Sequence, residues 1–532
     1  MHINQIKEQQ NMNKKKLILI RGGLLFASSL PLIAASCKNN ETKETKKESE
    51  MDSPIAPPVD PGKNNETKEP KKEPEMDAPI IPPTDPEKDN PGKTEPMHSD
   101  KPKVLKTNIS GLMLEFIPTN NTNKNDVLEL LKKQPKLENL TEGDFDFKLE
   151  QKALLNREGR IVIKANENSE IIEGQFEIKI EKLKSVVAKE HIYNIDRTEV
   201  LEIGYDSKGT IKRFDVKVKK VPANLPEEII SLDRAFARNL NEKIVNLEKW
   251  DTSNIESMDK TFLQAKKFNT DISSWKTNSV KNMSYMFSSA EAFNQNLDKW
   301  NTASVKDMNR MFQEAKAFNG NISNWKTENV TNMEYMFEKA EAFNQNLSSW
   351  NVENVLRMNN MFSGAKSFNN QLFKLNNPKV TDLSYMFFRA EKFNNSSISQ
   401  WNTSSVTDIR SMFRGATEFN QNLNWNTENI TNMSTLFAET NKFNGDITKW
   451  NTGNVIDMER MFQNAIAFNK DISEWNIKKV KNVSTMFGGA SAFRYSLRKW
   501  EFPENIPHEN FANGTHINKS ESLPIFKSTN TK

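Results

Sequence analysis

Cys37 is the single cysteine among 532 residues, so its thiol has no partner for an intramolecular disulfide. It follows Ile33-Ala34-Ala35-Ser36, a small-residue approach that closes the mostly apolar residues 17–33 behind the basic Lys14, Lys15 and Lys16. The apolar stretch is too short for a comfortable bilayer span, and the three parts read together as an export signal ending at Cys37. The other groups that carry chemistry are sparse. Four of the five histidines (His2, His98, His508, His516) lie toward the ends of the chain, and His191, near Tyr193, reads as structural or solvated. Between Trp250 and Trp500 there is neither His nor Cys, which removes thiol nucleophiles, imidazole acid–base work and thiolate or imidazole metal sites from that region. Its carboxylates, such as Glu314, Glu338 and Asp471, occupy variable positions and read as a solvated face without a distinctive catalytic pair. No Gly-rich phosphate loop is present. The expectation is a protein without catalytic, cofactor or metal sites.

The segment ending in Cys37 resembles a bacterial lipoprotein signal, in which the thiol takes a diacylglycerol and Cys becomes the new N-terminus. That resemblance implies lipidation at Cys37, a membrane held through acyl chains, and display on the extracellular face; two or three chains anchor far more firmly than one. Met12 is a candidate start, since residues 1–11 make an odd preface to the basic region. Residues 38–103 are rich in Lys, Glu, Pro and Asn, and residues 39–63 are nearly duplicated in 64–88. With few large apolar side chains to offset chain entropy, this stretch is expected to be a disordered stalk. The net charge is +4, too small for a general polyanion binder, and no nucleic-acid partner is expected.

What would position any surface is a repeat. The ten tryptophans stand at 250, 275, 300, 325, 350, 401, 425, 450, 475 and 500, with Leu375 on the empty beat. Counting Trp as position zero, Val recurs at +5, Met at +8, Met-Phe at +11 and +12, Ala at +15, Phe-Asn at +18 and +19, and Ile or Leu at +22. One copy is Trp300, Val305, Met308, Met311, Phe312, Ala315, Phe318, Asn319, Ile322 and Trp325, the expected stacked core of the array. Ala at +15 fails once, at Thr440.

Met308, Met311, Phe312 and Ala315 fall at i, i+3, i+4 and i+7, which predicts a helix of about two turns with the recurrent Asn or Asp at +7 as N-cap. Residues 322–325 and their equivalents are expected to be short extended segments paired in parallel. The recurrent Asn at +19, nine times from Asn269 to Asn469, fits either an inward ladder bonding the adjacent coil or a turn residue tolerant of left-handed geometry. The ladder position ends at Arg494, which suits a terminal cap. Phe236, Leu240, Ile244 and Leu247 look like a degenerate first unit.

Before the array, residues 104–222 read as a small α+β domain. A helix pattern covers 126–131 before Pro135, strands are expected at 160–164 and 175–180, and a hairpin joins 200–205 to 211–218 across Asp206-Ser207-Lys208-Gly209. The organisation is therefore signal and lipidation site 1–37, stalk 38–103, α+β domain 104–222, linker and N-terminal capping repeat 223–249, repeat solenoid 250–500, and C-terminal cap and tail 501–532.

The unit W-N-T-x-x-V-x-x-M-x-x-M-F-x-x-A-x-x-F-N-x-x-I resembles the repeats of BspA-type leucine-rich-repeat surface proteins, in the roughly 25-residue variety of wall-less bacteria. The resemblance implies an α/β solenoid, a right-handed leucine-rich-repeat-like array of about ten coils. It also implies cell-surface display with adhesion to a host protein or glycan, or antigenic variation. This chain departs from that pattern in placing Met, Phe and Trp where Leu would stand. Two functions stay open. In one, the outer face binds a macromolecule; in the other, it is a variable coat, since near-identical units such as residues 292–297 and 342–347 favour unequal recombination. Contiguous aromatic or charged residues that break the repeat on one face would favour binding.

Overall fold

A residue that must be buried on a fixed beat needs a backbone that returns to the same place on that beat, and hydrogen bonds that hold successive returns together. The computed structural model describes residues 105–503 and 505–527. Cys37, the export signal and the stalk expected over 38–103 lie outside the described residues.

The first element group is small. Strand β1 (Thr107–Asn108) is followed by helix α1 (Lys124–Leu131), which opens on a capping box between Asn123 and Asp126. Strands β2 (Phe145–Gln151), β3 (Gly159–Ala165) and β5 (Gln175–Ile180) form an antiparallel sheet in the order β2-β3-β5, and β1 pairs in parallel with β4 (Ile172–Glu173). Alternation in β3 and β5 sends Ile161, Ile163, Phe176 and Ile178 inward against Val127 and Leu131. This core ends at Ile180, so the domain is shorter than the expected 104–222.

From Val200 onward the side chains belong to the core of the array. Strands β6 (Ile192–Tyr193) and β7 (Val200–Glu202) pair antiparallel, and the Asp206 N–H bonds the Thr210 carbonyl across the expected turn, with Gly209 at φ 73°. Residues 211–214 serve both sides: Ile211 bridges Tyr205 and Lys212 donates to the Gly204 carbonyl within the hairpin, while Ile211 and Phe214 donate to the Ser231 and Ala235 carbonyls of the stack. Alternating apolar residues suit either partner, so their pattern alone does not separate the hairpin from the stack. The 223–249 segment is accordingly part of the stack. Phe236 faces Phe262 at 5.5 Å, and Ile244 and Leu247 are buried, but Leu240 is 59% exposed and lies outside the core.

Within the repeat the expected helix is absent. Among the described residues of the array the only helical segments are 3-10 turns at Leu247–Lys249 and Ser396–Gln400. Alternate amides serve different partners instead. Met283, Tyr285, Phe287 and Ser289 donate to the Asp307, Asn309, Met311 and Gln313 carbonyls one unit on, at 2.7–2.9 Å. Met286, Ser288 and Ala290 close turns onto Met283, Tyr285 and Phe287. Left-handed residues at +10 and +14, such as Tyr285 (φ 54°) and Ser289 (φ 55°), keep the run from becoming a helix. The i, i+3, i+4, i+7 pattern is common to both geometries, because overlapping turns also bring Met308, Met311, Phe312 and Ala315 to one buried side.

Two further expectations change in the same way. The +7 side chain is not an N-cap; Asn282, Asp307 and Asn332 accept from the amides of Ser284, Asn309 and Glu334 two residues on, opening a turn. Residues 322–325 form a turn (Trp325 N–H to Ile322 O, 3.2 Å), and the parallel bridges fall at +7 instead, as in Asn282 with Asp307 and Asp307 with Asn332.

The interior is a column of rings. Trp300 and Trp325 stack with centroids 6.3 Å apart, and each indole N–H donates to a carbonyl of the neighbouring unit, Ile272 and Leu297 respectively. Phe312 lies 3.9 Å from Phe318 in its own unit and 5.7 Å from Phe337 in the next. Trp300, Val305, Met308, Met311, Phe312, Ala315, Phe318, Ile322 and Trp325 are all buried. Asn319 is not: it is exposed, so the +19 Asn forms its ladder on the surface rather than inside. Its Oδ1 accepts the Asn344 amide at 2.9 Å, and the same bond links Asn269 to Asn294 and Asn294 to Asn319. Thr440, the one break at +15, satisfies its hydroxyl on the Phe413 carbonyl at 3.0 Å.

The stack is closed at both ends. At the start, His191 lies on Phe214 at 4.4 Å, with Nδ1 accepting from the Gly204 amide and Nε2 facing the Lys212 carbonyl, which assigns the proton to Nε2. At the far end β8 (Glu501–Phe502) pairs in parallel with β9 (Ile525–Phe526), and Phe487 and Gly489 donate to Phe511 and Asn513, so residues 505–527 add one more layer.

One junction is weaker than the rest. At Leu375 the Trp is missing, and Phe373 moves in to stack on Trp401 at 5.6 Å. Thr at +2 donates across the gap in most other units, as Thr302 does to Lys326 O, but Val352 and Asn377 stand there at this junction, and Ile477 stands there near the far end. Asn377 donates back to the Val352 and Val355 carbonyls instead. Parallel bridges run unbroken from Asn282 to Arg357 and resume only at Asp382.

Native-state hydrogen exchange should therefore show the amides of Met358 and Thr381 exchanging before those of Met308 and Met333; equal protection would remove the weak junction. Burial lowers the His191 pKa below its ordinary value. Its folded pKa lies below the unfolded one, so the stability it contributes is full above about pH 6.5 and is lost as pH falls through the folded value. Between pH 7.5 and 5, the melting temperature of the His191→Gln chain should fall less than that of the unaltered chain.

Candidate interaction face

The inter-unit rungs at +8, +10, +12 and +14 line up side chains in columns about 4.8 Å apart. Ser288-Ser289, Gln313-Glu314, Glu338-Lys339 and Arg414-Gly415 stand in two of these columns, at +13 and +14. Over the first three units their polar groups are spent on each other. The Ser288 hydroxyl meets Gln313 Oε1 at 3.2 Å, Gln313 Nε2 donates to Glu338 at 2.6 Å, and Lys339 bridges Glu314 and Glu338 at 3.2 and 3.7 Å. The Ser289 hydroxyl, with Lys339, holds the Glu314 carboxyl below its ordinary value despite partial burial. Asp471 accepts from the Ser473 amide within its own turn. Glu314, Glu338 and Asp471 are each engaged with a structural neighbour.

Column +10 is different. It holds Lys260, Tyr285, Arg310, Tyr335, Asn360 and Tyr385 in successive units, half of the chain's six tyrosines. Lys260 sits 4.8 Å from the Tyr285 ring, and Arg310 lies between Tyr285 and Tyr335 at 5.3 and 4.2 Å. Arg310 also donates to the Tyr285 hydroxyl at 2.6 Å. The rings are half-buried, with their edges open to solvent. Farther along, Phe388 is the one aromatic at +13 and Arg414 the one cation there. Arg389 and Arg414 both face the Phe388 ring, at 5.3 and 5.8 Å, and Tyr385 meets it edge-on at 5.8 Å. Nearby, burial raises the Asp408 carboxyl above its ordinary value, with Arg410 opposing.

Other columns are built for cohesion. At +16, Lys266, Glu291, Lys316, Glu341 and Lys366 alternate in charge, with Glu291 2.8 Å from both Lys266 and Lys316, and Lys366 3.3 Å from Glu341. The two lysines hold the Glu291 carboxyl below its ordinary value. At +2, Thr252, Thr277, Thr302 and Thr327 each donate to a carbonyl of the next unit at 2.8–2.9 Å.

Sequence reading at one-unit resolution missed two things. The Thr ladder was visible in the recurrent W-N-T but had no role assigned to it. The alternation was visible at twice the period: Tyr285, Tyr335 and Tyr385 are 50 residues apart, as are Lys266, Lys316 and Lys366. Cys37, the expected lipidation residue, lies outside the described residues.

Comparison with known families gives two matches. A family described as Mycoplasma protein of unknown function, DUF285, matches residues 230–350, 342–424 and 423–522. A spiralin domain matches residues 100–179, the stretch that holds the sheet β2-β3-β5 almost entirely. No curated protein and no solved structure matches.

Arg310 is worth about 1 kcal/mol to the array through its two ring contacts. Arg310→Ala should lower stability to denaturant by roughly that amount, whereas Arg460→Ala, in the same column without a ring beside it, should change it less.

Proposed function

The chain belongs to the family described as Mycoplasma protein of unknown function, DUF285, whose matches together span more than half of it, and on that premise we propose a lipid-anchored adhesin. The family and spiralin-domain matches support a surface-exposed, membrane-associated protein of a wall-less bacterium. The finer reading is a chain acylated at Cys37, held on the extracellular face of the membrane. Its repeat array is a solenoid of right-handed, leucine-rich-repeat kind that binds a host or environmental macromolecule. The 25-residue return of the backbone and the parallel bridges at +7 support the solenoid. The DUF285 match is coarser than the BspA-type resemblance, and a kinship with that group stays part of this proposal. No catalytic role belongs to it.

One observation carries the binding reading. The interior repeats unit after unit, while the +10, +13 and +14 columns change into rings and guanidinium groups on one side of the array. Tyr and Arg supply contact area and directional hydrogen bonds at low entropic cost, the composition of recognition surfaces. A coat whose selected property is change would vary its outer positions without gathering rings at neighbouring places.

The test is binding of the full chain, displayed on lipid vesicles, to host cells and matrix proteins. Saturable binding that weakens by about tenfold or more in a Tyr285→Ser, Arg310→Ser, Tyr335→Ser chain supports adhesion through this face. Absence of saturable binding by the unaltered chain hands the function to the variable-coat alternative.

A further inference from the structure

The face is not uniform, and one place on it differs from both the self-paired units before it and the small side chains after it. Around Phe388, two guanidinium groups converge on one ring, and only one carboxylate answers them. Arg414 pairs with Glu439 at 2.9 Å, while Arg389 makes no ion pair among the described residues. The Nε of Arg414 is buried without a hydrogen-bond partner. Arg389 is exposed and holds a left-handed backbone (φ 53°), a conformation that costs energy for any residue with a side chain. Its units on either side carry Gly364 and Gly415 at the same position, both also left-handed. A Cβ on Gly415 would stand 3.0 Å from the Arg389 Cγ, so the glycine leaves room for the arginine stem to lie along the face. At +10, Tyr385 is followed by the small Ser411 and Thr435; its ring meets Phe388 edge-on, and Arg410 of the next unit lies 5.9 Å from it.

These features have a common chemistry. A guanidinium fork pairs in two places with a planar or tetrahedral oxyanion, and its own flat face on a ring fixes its orientation beforehand. The rings offer apolar surface to the C–H faces of a sugar, and columns that continue from unit to unit suit a linear chain more than a compact molecule. The net charge of +4 on the whole protein argues against general polyanion binding, and the site needs none: its charge is local.

We propose that Arg389 and Arg414, seated on Phe388 beside Tyr385, form a binding subsite for an acidic polysaccharide. This deepens the adhesin reading and rests on it. The oxyanion of the ligand, carboxylate or sulfate, takes the free fork of Arg389 and the unshared side of Arg414, and a neighbouring sugar ring lies over Phe388 and Tyr385. Two guanidinium groups give a modest dependence on ionic strength.

The experiment measures binding of the full chain to heparin as the sulfated probe, hyaluronan as the carboxylated probe and dextran as the neutral one. The expected result is saturable binding to heparin or hyaluronan and none to dextran, with the preferred probe naming the oxyanion. Arg389→Gln should weaken that binding by about tenfold or more, and Arg389→Lys, which keeps the charge but loses the fork, should fall between. Arg460→Gln, on the same face away from the rings, should bind as the unaltered chain does, and all three should remain folded, with Arg389→Gln losing no more stability than one ring contact supplies. Equal binding by Arg389→Gln, or dextran binding as well as the acidic probes, overturns the proposal. Loss of host-cell binding in Arg389→Gln with no polysaccharide bound overturns the ligand class and leaves the adhesive face standing. Host-cell binding indifferent to every face variant overturns both.

Discussion

Everything in this array follows from which way each backbone amide points. In a helix all amides run along one axis and the segment satisfies itself. Here every second amide between +8 and +14 is committed to the neighbouring unit, and the ones between close turns. That commitment demands left-handed residues at +10 and +14, even where the residue is Tyr, Arg or Glu. Each such position is strained by roughly 1 kcal/mol relative to glycine, so the rungs and the ring stacking beneath them must outweigh it. A unit alone has no rungs. Of its ring contacts it keeps only the pair of the Phe312–Phe318 kind, and its indole N–H lacks its carbonyl, so the strain is tolerable only inside a stack.

The side-chain ladders repeat that logic at the surface. Asn at +19 and Thr at +2 satisfy backbone groups one unit away, and they do so along margins where a lost bond would open the stack to water. The junction at Leu375 shows what happens when several devices lapse together. The ring column is kept by Phe373, the carbonyls by Asn377, but the bridge from Arg357 to Asp382 is not replaced. The inner packing and the rungs from Asn360, Phe362 and Gly364 are continuous there, while the backbone pairing lapses only around Arg357 and Asp382.

Much of this was legible in the sequence. The period, the buried set from Trp300 to Trp325 and the Asn ladder as a bonding device could all be read from spacing. A repeated polar residue beside a buried Phe318 suits either an inward ladder or a turn residue; the chain turns after Phe318 and leaves Asn319 outside, bonding the next unit from the surface. The helix was misread because Met308, Met311, Phe312 and Ala315 share a side in both a helix and a run of overlapping turns, and side-chain spacing does not report amide direction. The +7 Asn and Asp mislead similarly, since a side chain accepting from an amide two residues on opens a turn as well as a helix. The strands at Gly159–Ala165 and Gln175–Ile180 were plain from alternation, yet the same alternation hid that residues 211–214 pair with the array. The face could not be read at one-unit resolution at all, since its pattern lives in pairs of units.

That pairing of units gives the array a parity. At +16 lysine and glutamate take turns from Lys266 to Glu391, and at +10 cation and ring take turns from Lys260 to Tyr335. Removing or adding a single unit within this stretch would set lysine against lysine and ring against ring at about 4.8 Å. Removing or adding two would leave every neighbour as it was. A gene free to slip by any whole unit would thus yield sound proteins mainly at even steps, and lengths of this stretch should come in multiples of 50 residues, twice the period that built it.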